Sequence, residues 1–505
     1  MLRRFGAVHL SVAVLALGAI LVSVWQIEQG RAGLSPEIVT IGTTPATVYA
    51  PSGGPSGPAV VVAHGFSGSH QLMEPFAVTL AQAGYTAVAF DFLGHGRNPM
   101  PMTGDVTKED GAGVALMAEL DRVIGYAAAL PGADGRVALL GHSMASDIVV
   151  RQAVADPRVV GTVAVSMFTR AVTAEAPRNL LVIVGGWERF LRAEALKAVA
   201  LAAEGAEEGR TYGDFADGTA RRAAVAEGVE HVGVLFSRTS LREARAWLDA
   251  VFGRVSPDAP VDGRGPWVLL LIGAIVLLAW PLSALLPKLA DRPEGGLAWP
   301  GFLAIAVLPA ILTPLILRPL PTAFLPVLVA DYLAVHFLLY GLLTTAGLAL
   351  VGALRGSRAP ALVTLVAAFA VACYGVGALG ATLDAYVSSF WPHAGRVWLI
   401  AVLFAGVLPY MLADEWLTRR AAPKWGAYAL TKLCFLGSLA AAVALDLERL
   451  FFLIIILPVV LLFFLLYGLL SGWVGRATGQ PLVAGLANAA AFAWALGVTF
   501  PLLAG

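Results

Sequence analysis

From residue 267 to residue 503 the chain passes through eight apolar runs, close to the length that crosses a lipid bilayer except for an over-long one at 323–354. They cover 267–286, 297–317, 323–354, 359–379, 397–412, 425–444, 450–470 and 482–503, with short connections between them. A ninth run, 5–25, follows the basic head Met1-Leu2-Arg3-Arg4. Backbone in lipid must satisfy its own hydrogen bonds, so runs of this kind are expected as helices. Composition agrees, with 58% hydrophobic and 13% charged residues. The ninth run reads as an uncleaved anchor, because Gln26-Ile27-Glu28-Gln29-Gly30 offers no small-x-small cleavage site; a signal peptide is the alternative.

Charge orients these runs. With the N-terminus inside, the inside loops hold Lys288, Arg292, Arg355, Arg358, Arg419, Arg420, Lys424 and Arg476. The outside loops hold Arg318, Arg396 and Arg449. The positive-inside rule is met with nine spans and fails with one fewer. The expectation is a multi-pass protein of the cytoplasmic (inner) membrane, its segment between the first two spans lying outside. Its domains are expected as an anchor at 1–30, an extracytoplasmic domain at 37–253 and a helical membrane domain at 266–505. The third span carries Pro300, Pro309 and Pro314, and the fourth is expected to begin as an interfacial piece up to Asp331. Ionisable groups at membrane depth face a cavity or a partner by default. Asp331 and His336 are expected near one pocket, Asp384, Asp414 and Glu415 near span ends, and Lys432 snorkelling to the surface.

Residues 37–253 read differently. Charges and turns return at ordinary density, and short apolar runs alternate with helix-like stretches. Strands are expected within 37–49 and at 59–63, 86–90, 136–140, 159–165, 180–184 and 221–225. Helices are expected at 71–83, 111–130, 146–155, 193–203 and 241–252. Such alternation predicts an α/β domain with a mostly parallel sheet and helices on both faces. Ligands bind such sheets at the carboxyl ends of their strands. There the chain places His64-Gly65-Phe66-Ser67-Gly68, Asp91 with Gly94-His95-Gly96, Gly141-His142-Ser143-Met144-Ala145, Gly186-Trp187-Glu188, and His231.

The pentapeptide around Ser143 has the strand–turn–helix setting of a nucleophile elbow, in which the serine stands at the tip of a sharp turn. The usual pattern is G-x-S-x-G, and Ala145 is the smallest departure from it. A serine capping a helix after a strand is the bland alternative. Together with the other strand-end groups, this stretch resembles the α/β-hydrolase superfamily, serine esterase or lipase-like, over residues 37–253. The resemblance implies a nucleophile, an acid and a histidine in that chain order. Ser143 would be the nucleophile and His231, the single histidine between Ser143 and residue 253, the base. Glu188 follows a strongly apolar strand and would be the acid, with Asp214 and Asp217 as fallbacks. The N–H groups of Met144 and Phe66 would form the oxyanion hole.

His64 and His95 read as structural, His142 as pointing away from the serine, and His70 as a surface residue at a helix start. A metal site from His64, His70 and His95 lacks ligand spacing, and residues 37–253 hold no G-x-G-x-x-G or P-loop, so no cofactor is expected. Cys373 and Cys434 lie in apolar runs, which leaves the α/β segment without a disulfide. Zero formal charge gives no case for nucleic acid. The expected activity is serine hydrolysis of an ester or related acyl bond, with membrane lipids and a lipidic or acylated small molecule as partners. Acyl transfer by the same residues, and a transporter or receptor with a non-catalytic sensor domain, are the alternatives.

Overall fold

The computed structural model of the protein describes residues 6–104, 111–293, 296–354 and 359–504. Arg3, Arg4, Arg355 and Arg358, which enter the charge count above, lie outside these residues. The chain forms two compact units. One comprises Val22–Leu269, Leu383–Ser389 and Pro501–Gly505, and the other Met1–Leu21, Leu270–Thr382 and Phe390–Phe500.

The first unit is built on a nine-stranded sheet. Its strands are β1 (Glu37–Ile41), β2 (Thr44–Tyr49), β3 (Ala59–Ala63), β4 (Thr86–Phe90), β5 (Val137–His142), β6 (Val159–Val165), β7 (Leu180–Gly185), β8 (Thr211–Tyr212) and β9 (Arg221–Ala226), in the order β1-β2-β4-β3-β5-β6-β7-β9-β8. The central strands from β4 to β9 are parallel, while β1, β2 and β8 join antiparallel at the edges. Six helices complete the unit's chain order up to its end: α1 (Ala7–Gly30, entering from the other unit), α2 (Glu74–Gln82), α3 (Ala112–Ala128), α4 (Met144–Ala155), α5 (Arg189–Ala200) and α6 (Arg238–Val251).

Strand period explains the two cores. Successive side chains point to opposite faces, so Val60 and Val62 of β3 pack with Phe76 of α2 and Trp247 of α6. Val61 packs on the other face with Leu120 and Ile124 of α3 and Val149 of α4. A strand buried on both faces has no polar side to show, which is why 59–63 reads as a continuous apolar run. The expected helix at 71–83 divides into a tight turn, His70–Met73, and α2, with Pro75 in the first turn of α2.

The start of α2 is a charged junction. Arg31 grips Glu74 with two hydrogen bonds of 2.7 Å, and Arg264 Nη1 lies 2.6 Å from Glu74 Oε2. Arg264 also pairs with Asp262 at 2.6 Å. Burial alone would raise the Glu74 carboxyl; Arg264 and Arg31 outweigh it and hold the group below the usual carboxylate range.

In the second unit and the α1 helix, nine helices among the described residues are long and apolar enough to cross a membrane. After α1 they are Gly265–Ser283, Trp299–Leu317, Ala330–Leu350, Ala361–Tyr386, Ala394–Thr418, Ala427–Leu445, Phe452–Thr478 and Pro481–Thr499. Trp299–Leu317 runs through Pro309 and Pro314 without a break. The fourth span starts at Ala330, and the Asp331 carboxylate accepts from the backbone N–H of Phe324 and Tyr332 at 2.9 and 2.8 Å. Gly341 lets two helices touch: a methyl there would lie 2.1 Å from Tyr410 N. His336 is fully buried, with Nε2 3.1 Å from Ser438 Oγ. Lys432 does not snorkel. It is buried, paired with Asp414, and stands over the rings of Tyr410, Tyr428 and Phe464. A desolvated ammonium with a carboxylate partner and aromatic faces has no need to reach water.

The last helix stops at Thr499, before Pro501, which cannot continue it. The residues beyond belong to the first unit, where Leu502 N donates to Gly94 O at 2.9 Å and Ala504 N to Met102 O at 2.9 Å.

Candidate active site

Ser143 stands between β5 and α4 with φ 55° and ψ −117°, a left-handed conformation that a serine adopts only under constraint. The constraint is close packing. A methyl on Gly141 would lie 2.6 Å from Ala145 O, so strand and helix pass too near for any side chain there. Ala145 itself is fully buried among apolar residues, and its methyl fits. The turn is sealed by Ser143 N donating to Val165 O at 2.9 Å and Ser146 N to Ser143 O at 2.8 Å.

His231 arrives from the loop after β9. Its Nε2 lies 2.9 Å from Ser143 Oγ and its Nδ1 2.5 Å from Glu188 Oε1. Glu188 follows β7, and its second oxygen accepts from Ser166 Oγ and Gly185 N–H, both at 2.7 Å. Burial alone would lift the Glu188 carboxyl. Hydrogen bonds from His231, Gly185 N–H and Ser166 outweigh it and hold the group below the usual range, so it is charged at neutral pH. A carboxylate accepts only, so Nδ1 of His231 carries its proton toward Glu188 and Nε2 is left to face the serine. Asp214, by contrast, accepts from Ala216 N at 2.7 Å within its own exposed turn. Glu230, next to the histidine, bonds Val232 N and Gly233 N at 2.7 Å and so shapes the loop.

Two side chains given no role in the sequence reading support this row. Ser166, at φ 53°, follows β6 and donates to Glu188. Its place at a strand end was the available signal. His142 does not turn away: its Nε2 lies 2.9 Å from the backbone carbonyl of His231, which it can only serve as a donor. Burial, then the neighbouring His231, push the His142 imidazole down to about 3, so it stays neutral.

The opposite wall is the loop after β3. Gly65 is packed so tightly that a methyl there would lie 3.0 Å from Ser143 Cβ, which brings the Gly65–Phe66 peptide to the serine. Met144 opens α4, and the first N–H groups of a helix have no acceptor within it. His64 is structural: its Nδ1 lies 2.8 Å from Gly65 O and its Nε2 accepts from Phe92 N at 3.1 Å. His70 is not a surface residue. It is buried, and Nδ1 meets Asp91 at 2.9 Å while its backbone N donates to the same oxygen at 2.7 Å. Asp91 is fully buried. Burial would raise its carboxyl, but His70, His64 and the Arg97 N–H together hold it far below the usual range. A charge so placed needs a partner, and this draws His70 inward. Among the described residues no group of three or more His, Cys, Asp and Glu side chains could hold a metal ion.

Known proteins can now be set beside this geometry. A family model described as serine aminopeptidase, S33, matches residues 54–197. No curated protein matches the chain. An epoxide hydrolase from Vigna radiata is similar at 20% identity and a TM-score of 0.22, covering 27% of this chain and only 39% of that one. A membrane phospholipase A, described as a novel bacterial virulence factor, is 18% identical over 48% of this chain and 96% of its own, with a TM-score of 0.32. An epoxide hydrolase from an endophytic Streptomyces is 15% identical over 44% and 97%, with a TM-score of 0.31. By the family model matched over residues 54–197 and by its mostly parallel sheet, the chain carries a domain with the α/β-hydrolase fold, combined with a helical region of several spans apolar enough to cross a membrane.

Proposed function

We propose that the protein is a membrane-integrated serine hydrolase that cleaves an ester or related acyl bond through an acyl-enzyme. The row Ser143–His231–Glu188, joined at 2.9 and 2.5 Å, carries the reading. Ser143 Oγ attacks the carbonyl carbon as its proton passes to His231 Nε2. The oxyanion formed is met by the N–H groups of Met144 and Phe66. The tetrahedral adduct collapses, and the leaving group departs with the proton from His231. Water then attacks the acyl-enzyme, giving a proton to His231, which passes it to Ser143 Oγ as the second adduct collapses and releases the free acid. Glu188 stabilises the imidazolium at each stage without taking the proton.

The substrate we propose is lipidic or acylated. Phe168, Trp187 and Phe190 are 54%, 68% and 62% exposed, and each lies within two residues of Ser166 or Glu188. The Phe168 and Phe190 rings are 5.7 Å apart. Exposed aromatics gathered beside a site mark a surface for apolar ligands. The excess of basic residues in alternate loops supports a cytoplasmic membrane location with the hydrolase domain outside.

A membrane-impermeant fluorophosphonate tests chemistry and placement together. It is expected to label the wild type in intact cells and to leave Ser143→Ala unlabelled. Labelling that survives Ser143→Ala overturns the enzyme reading, and labelling only after permeabilisation overturns the outward placement.

A further inference from the structure

The loop that carries Phe66 continues into Ser69, His70 and Gln71, and these residues meet a distant piece of chain. Leu383–Ser389 belongs to the sheet unit although it begins in the last turn of the apolar helix Ala361–Tyr386 and precedes the next, Ala394–Thr418. Ser389 N donates to Ser69 Oγ at 2.9 Å, and Ser389 Oγ donates to Gln71 Oε1 at 3.0 Å. Gln71 Nε2 donates to Asp384 O at 3.3 Å, and Ser69 Oγ lies 3.2 Å from Ser388 Oγ. Arg97, whose backbone N–H helps hold Asp91, pairs with Asp384 at 2.7 Å. Ser69, Gln71, Asp384 and Ser389 are all buried.

A buried polar cluster with matched donors and acceptors defines geometry more sharply than apolar packing does, because each displaced partner leaves an unpaired group. Here the geometry in question is that of an oxyanion loop. Ser69 is three residues from Phe66, and between them Ser67 sits at φ 55° and Gly68 N donates to Gly65 O at 3.0 Å. So tight a turn passes a shift at Ser69 directly to the Phe66 peptide. The near end of the loop is held inside the domain by the His64 ring; the far end is held by 383–389. We propose that residues 383–389 are a positioning element for the oxyanion loop, acting through Ser389 on Ser69 and Gln71, so that the hydrolase site is complete only when this segment is in place.

The inference rests on the serine-hydrolase reading, and its test separates the two. Full-length Ser389→Ala, Ser389→Thr and Ser69→Ala proteins in detergent are assayed with a fluorophosphonate and a short-chain p-nitrophenyl ester. Ser389→Ala and Ser69→Ala are expected to lower kcat about 10-fold or more, with KM within twofold, an unchanged pH midpoint, and a labelling rate that falls in parallel, as befits a misplaced oxyanion donor. Ser389→Thr keeps the hydroxyl and is expected to retain activity. Should Ser69→Ala fold poorly, Ser389→Ala, which removes one hydroxyl, carries the test. A wild type that labels together with an unaltered kcat in Ser389→Ala overturns the positioning role alone. So does a loss of melting temperature without a change in kcat. A wild type that never labels removes the hydrolase reading beneath it.

Discussion

The carboxyl ends of β5, β7 and β9 form one wall beside Ser143 and those of β3 and β4 another, in one sheet yet built on different plans. The first wall is local to the sheet. Ser143, Glu188, His231 and their supports Ser166 and His142 all come from the strand ends of one domain, within 89 residues of one another in each contact. The second wall is held by residues from elsewhere in the chain. Ser69 meets Ser388 across 319 residues and Arg97 meets Asp384 across 287. One wall supplies the reacting groups. The other is tied down by segments far away in the chain, so the groups proposed to react and the long-range ties are divided between the two walls.

That division can be broken most forcefully on the local side. Replacing Glu188 by Gln keeps shape and removes the charge that sets the His231 tautomer, so kcat on a short-chain ester should fall by about 10⁴-fold. Folding should be little affected, because no distant segment depends on Glu188. A fall of only a few-fold would move the acid elsewhere, to Asp214 or Asp217.

The other side should show the reverse pattern. Glu74→Gln leaves Arg264 buried and Arg31 half-buried opposite a neutral group, and breaking a buried pair such as Arg264–Glu74 costs about 3–5 kcal/mol. The main effect should be a lower melting temperature, with the chemistry of the surviving folded fraction intact. Because the folded Glu74 carboxyl lies below its unfolded value, its contribution is full above about pH 4.3 and is lost as pH falls through the folded value. Wild type and variant should therefore differ most near neutral pH and converge in acid. Thermal melts across that range test this, and a gap that widens on acidification would refute it.

Legibility follows the same line. The meeting of Ser143, Glu188 and His231 was legible in the sequence because strand ends are marked by short apolar runs and histidine is scarce. The sheet was readable for the same reason, since a fully buried strand has no polar face to confuse the pattern. His70 was misread because its burial depends on Asp91, a charge delivered by another strand end. The role of 383–389 left no trace, since hydrogen bonds among Ser, Gln and backbone need no particular spacing. Lys432 was misread because a snorkelling lysine and one paired with Asp414 look alike until the helices are packed.

The finest test of the comparison lies in the support of Glu188. Ser166 Oγ and Gly185 N–H both donate to Glu188 Oε2, so Ser166→Ala takes away one donor and leaves the other. A hydrogen bond to a charged group is worth about 1.5–3 kcal/mol, and with Gly185 still in place the lower end applies, about 10-fold in kcat. The sign in pH is fixed as well. Losing a donor to the ionised form raises the Glu188 carboxyl toward its ordinary value, so activity on the acid side should fail at a higher pH than in wild type. Melting temperature should move little, because Ser166 joins only residues of the local wall. If Ser166→Ala instead behaved like Glu74→Gln, lowering stability and sparing kcat, the two walls would share one plan after all.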